Sequence, residues 1–386
     1  MIIFLLLGIL TGTITGLIPG IHSNNVSLLL LASPLFGFEA VVFTLSMCIT
    51  QSFVDFIPAI FIGAPSTDTF EGVLPGHKLF IQGRGFEAIC LTVFGGIIAL
   101  IFGSIILSPF LIFINESWMG IRFFIPIILL FILGVIILNE ENKQKKIIIV
   151  FVIFLAASHG LMFTDQIFPL IVGYFGIPTI IYSLDKIPLL KKQNEKTKIE
   201  IKTFFEGIIG IVGGIIVSVL PGIGSNLAAG TIRIFRDKIK TENYLVLLGS
   251  INTSAFFFSF SVLFILEKTR NGAMVVLREQ IFFTPEEYIL GIATMLLAGG
   301  FGGIITIFLA KKATYFFSQN RTKLFSILSI IVMIGSVFLF NGLVGLIVLF
   351  FSSTLGFFVI LKKVNRSSCL ASLIVPTMFF YIFILY

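Results

Sequence analysis

The chain has 386 residues, a net charge of +7, 57% hydrophobic residues and only 12% charged residues, about half the charged fraction of a soluble domain. Its mean hydropathy is +1.10. These values exclude an ordinary soluble enzyme and a disordered chain, because most of the surface has to face lipid. The basic residues are spread over short loops, which favours contact with anionic lipid over binding of nucleic acid.

The cysteines and the N-terminal residues indicate neither a metal or disulfide site nor a signal peptide. Cys48, Cys90 and Cys369 lie far apart in apolar segments, a spacing that indicates neither a disulfide framework nor a zinc site. The sequence therefore predicts no metal and no cofactor. The first ten residues, MIIFLLLGIL, lack a positive region and a small-residue cleavage site, so we interpret them as mature structure and not as a signal peptide.

Ten apolar segments, five in each half, are long enough to cross a bilayer, whose core of about 30 Å takes roughly 20 helical residues. The predicted spans are residues 39–63, 88–114, 121–139, 147–164, 165–184, 243–266, 286–310, 323–341, 342–361 and 366–386. The predicted fold is thus an all-α polytopic membrane protein.

Residues 2–37 and 205–235 show a different pattern. Each contains a short, glycine-rich apolar segment, a Pro-Gly pair and then a second short apolar segment. Broken segments of this kind are typical of re-entrant hairpins, in which protein or water surrounds the non-helical backbone. We therefore predict two re-entrant hairpins beside the ten spans.

The distribution of positive charge predicts which side faces the cytoplasm. If both hairpins return to the side from which they entered, all but four of the 26 Lys and Arg residues lie on the side of the linker 185–203. The exceptions are Arg122, Lys268, Arg270 and Arg278. Because cytoplasmic loops carry an excess of Lys and Arg, we expect a cytoplasmic linker and both termini outside, in the plasma membrane.

The two Pro-Gly pairs belong to an internal repeat. Residues 8–24 read GILTGTITGLIPGIHSN, and residues 210–226 read GIVGGIIVSVLPGIGSN. Five spans, an odd number, follow each hairpin, so two copies joined by a cytoplasmic linker have opposite orientations. Inverted repeats are typical of secondary transporters, whose substrate site lies at mid-membrane between the copies. We assign 1–184 to the first repeat, 185–203 to the charged linker and 204–386 to the second repeat.

We call residues 19–24 the first tip and residues 221–226 the second tip, and both are candidate anion sites. Proline ends the inbound helix, glycine permits the reversal, and Ser or Asn can cap the outbound helix. Two helix N-termini that meet at mid-membrane would offer N–H donors and partial positive charge. The candidate substrate-binding residues are Pro19, Gly20, His22, Ser23, Asn24, Pro221, Gly222, Gly224, Ser225 and Asn226. Alternatively, these residues only cap kinked helices.

Asp55 lies inside the first predicted span. A carboxylate in a span is costly and usually faces a cavity, so Asp55 is a candidate for coupling to a proton or Na⁺. The alternative is a buried, hydrogen-bonded carboxylate. The next segment, residues 64–87, is too polar to cross and is predicted to be a loop at the cytoplasmic mouth. Its charges, which we expect to be solvated, are Asp68, Glu71, His77, Lys78 and Arg84.

Three segments resemble a known family, the large permease subunit of the tripartite tricarboxylate transporters. They are GLIPGIHSNNVSLLLLASPL at 16–35, IGAPSTDTFEGVLPGHKLFIQGRGFEAI at 62–89 and VLPGIGSNLAAG at 219–230. His22-Ser23 stands where the family pattern has Gly-Pro. The resemblance implies import of citrate-like or other carboxylates, driven by an ion gradient. It also implies two partners, a small membrane subunit and an extracytoplasmic binding protein.

Three functional hypotheses follow. The first is secondary active transport of a small organic anion, of the di- or tricarboxylate class, by alternating access. The second is translocation of a lipid phosphate, because the tips also resemble the PGxS loop of polyprenyl-phosphate translocases. The third is an intramembrane enzyme that uses Asp55 or a histidine. The chain has no GxxxxGK[ST], HExxH or GxSxG motif, so we predict that it is neither ATP-driven nor an enzyme.

Overall fold

The computed structural model describes residues 1–31, 35–63, 70–140, 142–184, 191–197, 199–220, 222–236, 239–281, 283–317 and 319–385. Throughout these residues the regular structure is helical, without strands. The predicted all-α class is therefore confirmed.

The helices of the first half precede the linker. They are α1 (Ile2–Leu17), α2 (Ser23–Leu30), α3 (Phe38–Val54), α4 (Phe56–Phe61), α5 (Phe70–Ile81), α6 (Gly85–Ile105), α7 (Leu107–Leu138), α8 (Lys143–Met162), α9 (Ile167–Ile171) and α10 (Ile177–Leu184), with a π-helical turn (Val172–Gly176) between the last two.

The helices of the second half follow the linker. They are α11 (Ile201–Val219), α12 (Ser225–Phe235), α13 (Thr241–Leu266), α14 (Gly272–Gln280), α15 (Pro285–Phe316), α16 (Gln319–Lys362) and α17 (Ala371–Leu385), with a 3-10 turn (Arg366–Leu370) before the last.

Ten helical stretches of the described chain are long and apolar enough to cross a membrane. The protein is therefore a multi-pass membrane protein. The stretches differ from the predicted spans in three respects. Ile201–Val219, predicted as one limb of a hairpin, is itself long enough. The second and third predicted spans meet at Ile106, because α7 starts well before residue 121. Finally, Arg321–Lys362 is a single stretch.

This last stretch contains two helices that meet at Gly342. A straight helix of 44 residues would be about 66 Å long, roughly twice the thickness of the bilayer core. Gly342 instead has φ 62° and ψ −157°, a non-helical conformation. The chain reverses there, since a Cβ on Gly345 would lie 3.3 Å from a methyl group of Val337. The two limbs correspond to the predicted spans 323–341 and 342–361.

The glycine row of α1 packs against α3. Gly8 lies against Ser46, and Gly16, two turns later, lies against Val54. Contacts that advance together along both helices mean that α1 and α3 run in the same direction. This parallel pair is compatible with a re-entrant hairpin, which stays a prediction. Small residues allow this close approach of helices in lipid.

The same contact recurs between α11 and α13. Gly210 lies against Ser250, and Gly214 lies against Ser254. The Ser250 hydroxyl also donates a hydrogen bond of 2.6 Å to the carbonyl oxygen of Gly207. These helices therefore also run in the same direction. Gly8 and Gly210 are aligned in the predicted repeat, so the two halves begin with equivalent helix pairs.

The two equivalent helices α3 and α13 cross each other in the core. The hydroxyls of Ser52 and Thr253 are 3.2 Å apart. Earlier in α3 and later in α13, Leu45 and Phe260 both contact Gly291. The contacting residue numbers decrease along α3 as they increase along α13, so the two helices are antiparallel. This is the relation that an inverted repeat requires, although the repeat boundaries stay a prediction.

The polar segment 64–87 is not simply a loop. Residues 64–69, with Asp68, lie outside the described residues, but Phe70–Ile81 form α5. The prediction of a loop was wrong there because the segment packs on the body of the protein, where helix satisfies its backbone groups.

Two charges of this segment also have protein partners, against our expectation of solvated side chains. The His77 Nδ1 atom lies 2.8 Å from the carbonyl oxygen of Ile60, and burial lowers the pKa of His77 below its ordinary value. Arg84 pairs with Glu87 at 2.7 Å and with Glu242 at 2.8 Å. Arg84 thus ties α6 to α13, across the two halves.

The linker also contacts both halves. Of its residues, 191–197 and 199–203 are described, and 191–194 lie along the turn between α5 and α6. The Asn194 N–H donates to the Gly83 carbonyl oxygen at 2.7 Å, and Glu195 pairs with Lys311 of α15 at 2.9 Å. The linker ends earlier than predicted, since α11 begins at Ile201.

Candidate functional site

The first tip breaks the helix as the Pro-Gly pair predicts. Helix α1 ends at Leu17, and Ile18 is extended with φ −102° and ψ 104°. Gly20 has φ 92°, a left-handed conformation that a side chain makes costly. An added Cβ there would also lie 2.9 Å from the Met333 side chain. Both the backbone and the packing therefore require glycine at residue 20.

The cap of α2 differs from the predicted one. His22 occupies the N-cap position, and its Nδ1 atom accepts a hydrogen bond of 3.2 Å from the Asn24 N–H. The Ser23 N–H donates to Gln51 Oε1 at 2.7 Å. The prediction that Ser23 or Asn24 caps the helix was thus wrong, because the neighbouring imidazole reaches that position. Two of the N–H donors predicted for an anion are already bonded to the protein.

A small cavity of about 30 Å³ lies beside the first tip. A cavity needs roughly 10–15 Å³ to hold a water molecule, so this one suits a water molecule or a small cation. Four of the predicted residues, together with Thr15 and Gln51, line it. These four are Pro19, Gly20, His22 and Asp55.

Asp55 is buried, with 3% of its surface exposed. It forms the junction between α3 and α4, since α3 ends at Val54 and α4 begins at Phe56. The start of a helix carries partial positive charge, which favours a carboxylate. The structure therefore brings the predicted coupling residue into one cavity with His22, from a distance of 33 residues along the chain.

The second tip has the same break and a more open helix N-terminus. Helix α11 ends at Val219, and Gly222 has φ 79°; Pro221 lies outside the described residues. Gly224 occupies the N-cap position of α12, and among the described side chains none caps this helix. A Cβ on Gly224 would have nothing within 4 Å. The predicted residues Ser225 and Asn226, at the start of α12, are buried.

Arg270 lies at this second tip, a position that the sequence analysis did not predict. Its Nε and Nη2 groups donate to the carbonyl oxygens of Val217 and Ile223, on the two sides of the break. From the charge distribution, Arg270 is only a positive charge on the outer side. No spacing pattern connects it with the second tip, because its contacts with Val217 and Ile223 arise only through tertiary folding.

Arg270–Ala273, which we call the bridging segment, contacts both tips. At one end Arg270 donates to the carbonyl oxygen of Ile223 in the second tip. At the other end the Ala273 N–H donates to Asn24 Oδ1 of the first tip at 3.3 Å. A Cβ on Gly272 would lie 3.2 Å from the Asn24 Cβ. The two tips, about 200 residues apart in sequence, are therefore linked by four residues.

The comparison with protein families agrees with this architecture. Residues 2–371 match the tripartite tricarboxylate transporter TctA family. The chain belongs to the TctA family. It is also similar to an uncharacterized protein of Methanocaldococcus jannaschii, with 30% identity over 99% of each chain. No solved structure matches it.

Membership of the TctA family confirms the resemblance found in the tip sequences. The chain is a membrane transporter protein of that family, and the tripartite family supports partners of the kind expected. The family match covers both tips and the bridging segment.

Within this TctA-family chain the predicted site residues form two groups. Asp55 and residues 19–22 surround the small cavity. Asn24 instead accepts a hydrogen bond from Ala273 of the bridging segment. At the other end of that segment Arg270, which the sequence did not predict, donates to Ile223 of the second tip.

Proposed function

We propose that this chain moves a di- or tricarboxylate anion across the plasma membrane, driven by an ion gradient. The observation that carries the proposal is the contact of both Pro-Gly tips with the bridging segment. The linker is cytoplasmic and both termini are outside, in agreement with the positive-inside rule. A small membrane subunit and an extracytoplasmic binding protein act with it.

The anion binds at the second tip. Helix α12 lacks a side-chain cap among the described residues and has open space at Gly224, so its N-terminal dipole can act on a ligand. The Arg270 guanidinium adds full positive charge beside Ile223. A carboxylate gains charge-assisted hydrogen bonds from such groups. Ser225 and Asn226, at the first turn of α12, are the side chains closest to this position in sequence.

Ion coupling occurs at the first tip. The cavity beside Asp55 suits a water molecule or a small cation, and His22 lines the same cavity. Binding of a proton or Na⁺ to Asp55 would remove negative charge next to Gly20, where the helix is broken. Asn24 then connects this tip to the bridging segment, so the ion state and the anion site are linked by direct contacts.

Transport proceeds by alternating access. The antiparallel crossing of α3 and α13 and the matching glycine contacts of α1 and α11 support two inverted halves. In such transporters the two halves rock around a site at mid-membrane.

The test is uptake of labelled citrate and dicarboxylates into proteoliposomes that contain the chain and its two partner subunits. We expect Ser225→Ala to reduce uptake about tenfold, the effect of losing a hydrogen bond to a charged group. Ser218→Ala is the matched control, because the Ser218 hydroxyl is buried but bonds to Ile215 of its own helix. Equal uptake by the two variants would contradict an anion site at the second tip.

The coupling residue has a separate test. The side chain in Asp55→Asn stays neutral and cannot bind or release a proton. This variant should therefore abolish uphill accumulation under an imposed Na⁺ or pH gradient, while the exchange of labelled for unlabelled substrate continues. Full accumulation by this variant would mean that Asp55 is only a buried structural carboxylate. Absence of carboxylate transport, combined with flipping of a polyprenyl phosphate, would favour the lipid-phosphate translocase instead. Conversion of substrate into a new compound would favour the enzyme.

A further inference from the structure

A second, larger cavity lies away from the bridging segment. Its volume is about 730 Å³, within the range of sites for drug-sized ligands. We call it the α15 groove. It is bounded by the ends of α1 and α15, by α4 and by the start of α16. The groove is open rather than enclosed, so a ligand can enter it from outside the protein.

The wall of the α15 groove is mostly apolar. It includes Leu17, Ile57, Leu309 and Phe325. Phe316, also in the wall, is 44% exposed, which leaves aromatic surface available for a hydrocarbon chain. An acyl chain can pack on such a wall through van der Waals contacts, because lipid tails are as apolar as these side chains.

Two cations line the same groove. Lys312 Nζ lies 4.7 Å from the centre of the Phe308 ring. The Arg321 guanidinium lies 4.9 Å from the centre of the Phe316 ring and donates to the Phe316 carbonyl oxygen at 3.1 Å. Lys311, next in sequence, pairs with Glu195. By contrast, no carboxylate of the described residues forms a salt bridge with Lys312 or Arg321.

We propose that the α15 groove binds an anionic membrane lipid, with its phosphate on Lys312 and Arg321 and one acyl chain along the apolar wall. Charge complementarity selects the headgroup, because arginine and lysine are common phosphate ligands. The groove lies on the lysine-rich side of the protein, where anionic lipid of the cytoplasmic leaflet attracts cations. A zwitterionic lipid such as phosphatidylcholine also has a phosphate, but its choline cation cancels the net negative charge that Lys312 and Arg321 attract.

The position of the groove gives the lipid a structural role. Ile18 and Pro58 line both the α15 groove and the small cavity at Asp55. A lipid chain in the groove therefore packs on the residue that precedes the Pro19 break. We infer that bound lipid holds the last turn of α1 and supports the first tip. This inference concerns a site separate from the second tip and does not depend on the transported anion.

Native mass spectrometry of the purified full chain tests the proposal, with phosphatidylglycerol and phosphatidylcholine as probes. We expect the wild type to retain phosphatidylglycerol in preference to phosphatidylcholine. Lys312→Gln and Arg321→Gln each remove one cation and should weaken the retention of phosphatidylglycerol about fivefold. Lys362→Gln is the matched control, since Lys362 lies 5.8 Å from the Phe358 ring but outside the groove. Equal retention by the three variants would overturn the proposal. So would displacement of the lipid by glycerol phosphate alone, because the apolar wall would then contribute nothing.

A second measurement does not alter the cations. The chain has a single tryptophan, Trp118, which can be replaced by Phe. A tryptophan at Leu309, in the groove wall, should then be quenched more strongly by brominated phosphatidylglycerol than by brominated phosphatidylcholine. A tryptophan at Leu297 of the same helix, which is 55% exposed and outside the groove, should be quenched equally by both. Equal quenching at residue 309 would also overturn the proposal.

Discussion

Arg270 brings a full positive charge to a tip at which the sequence predicted only neutral residues. Its guanidinium donates to Val217 on one side of the break and to Ile223 on the other. The last turn of a helix has carbonyl groups without helical partners, and a cation stabilises that end. Arg270 therefore fixes the shape of the second tip as well as its charge.

Arg270→Lys keeps the charge but cannot donate to both carbonyl groups with one fixed geometry. If Arg270 positions the anion site, this variant should raise the KM of carboxylate uptake about tenfold or more, since hydrogen bonds to charged groups contribute about 1.5–3 kcal/mol. The maximal rate should change less, because the ion site at Asp55 is intact. Uptake kinetics in proteoliposomes provide the measurement.

A merely structural role for Arg270 would give a different result. Arg270→Lys would then lower the thermal stability of the purified protein without a selective change in KM. Arg278→Lys is the control, because Arg278 is a neighbouring arginine whose salt bridge to Glu279 is on the exposed surface. An unchanged KM in Arg270→Lys would contradict a positioning role.

At the scale of single helices, glycine decides where the chain can reverse. Gly20 and Gly222 have positive φ at the tips, and Gly342 has positive φ between the limbs of α16. The tips were predicted from Pro-Gly pairs. The reversal at Gly342 was predicted only from length, since about 20 apolar residues fill the bilayer core and the helical segment is twice as long.

Gly342→Ala should destabilise the protein by about 1–3 kcal/mol, the cost of a side chain in this backbone region. No atom lies within 4 Å of an added Cβ, so a clash cannot contribute. The measurement is the thermal unfolding of the detergent-solubilised protein.

Gly335→Ala serves as the control for this prediction. Residue 335 lies in the helical part of α16 and also has open space around an added Cβ. Alanine there should be neutral or slightly stabilising, because it is a better helix former than glycine. Equal stability of both variants would mean that the reversal does not depend on the left-handed backbone at residue 342.

For the whole molecule, the main feature is the contact between halves. The Ser52 and Thr253 hydroxyls meet where α3 and α13 cross, Arg84 joins α6 to α13 through Glu242, and the bridging segment joins the two tips. The Ser52–Thr253, Arg84–Glu242 and Asn24–Ala273 contacts each link residues of different halves. Motion of one half against the other therefore has to change the contacts at the candidate site.

A cross-link between the halves tests this arrangement. In a background without Cys48, Cys90 and Cys369, Asn24→Cys with Gly272→Cys should form a disulfide under mild oxidation. Their Cβ atoms would be 3.2 Å apart, near the separation of about 3.5–4.5 Å in a disulfide. With a protease site inserted in the linker, the two halves should stay joined on a non-reducing gel.

Asn25→Cys with Gly272→Cys is the matched control, because residue 25 points to another side of α2. Efficient cross-linking of the control, or none with residue 24, would contradict the contact of the first tip with the bridging segment. Cross-linked protein that no longer transports would further support movement between the halves.

The sequence by itself determined the membrane class, the number of apolar segments, the helix breaks at the Pro-Gly pairs and the family. These features depend on composition and on backbone preferences that are set by residues adjacent in the sequence. The helical form of residues 70–81 and the partners of His77 and Arg84 did not follow from the sequence, because packing on distant helices stabilises them.

The assembly of the candidate site depends on tertiary contacts that the sequence did not predict. It made His22 the cap of α2, brought Asp55 into one cavity with the first tip, and set Arg270 on the second tip. The physical reason is that a charge or hydrogen bond acts over a few ångströms in space, whatever the separation along the chain. A sequence pattern reports only residues that share an element, so contacts made by crossing helices leave no local signal.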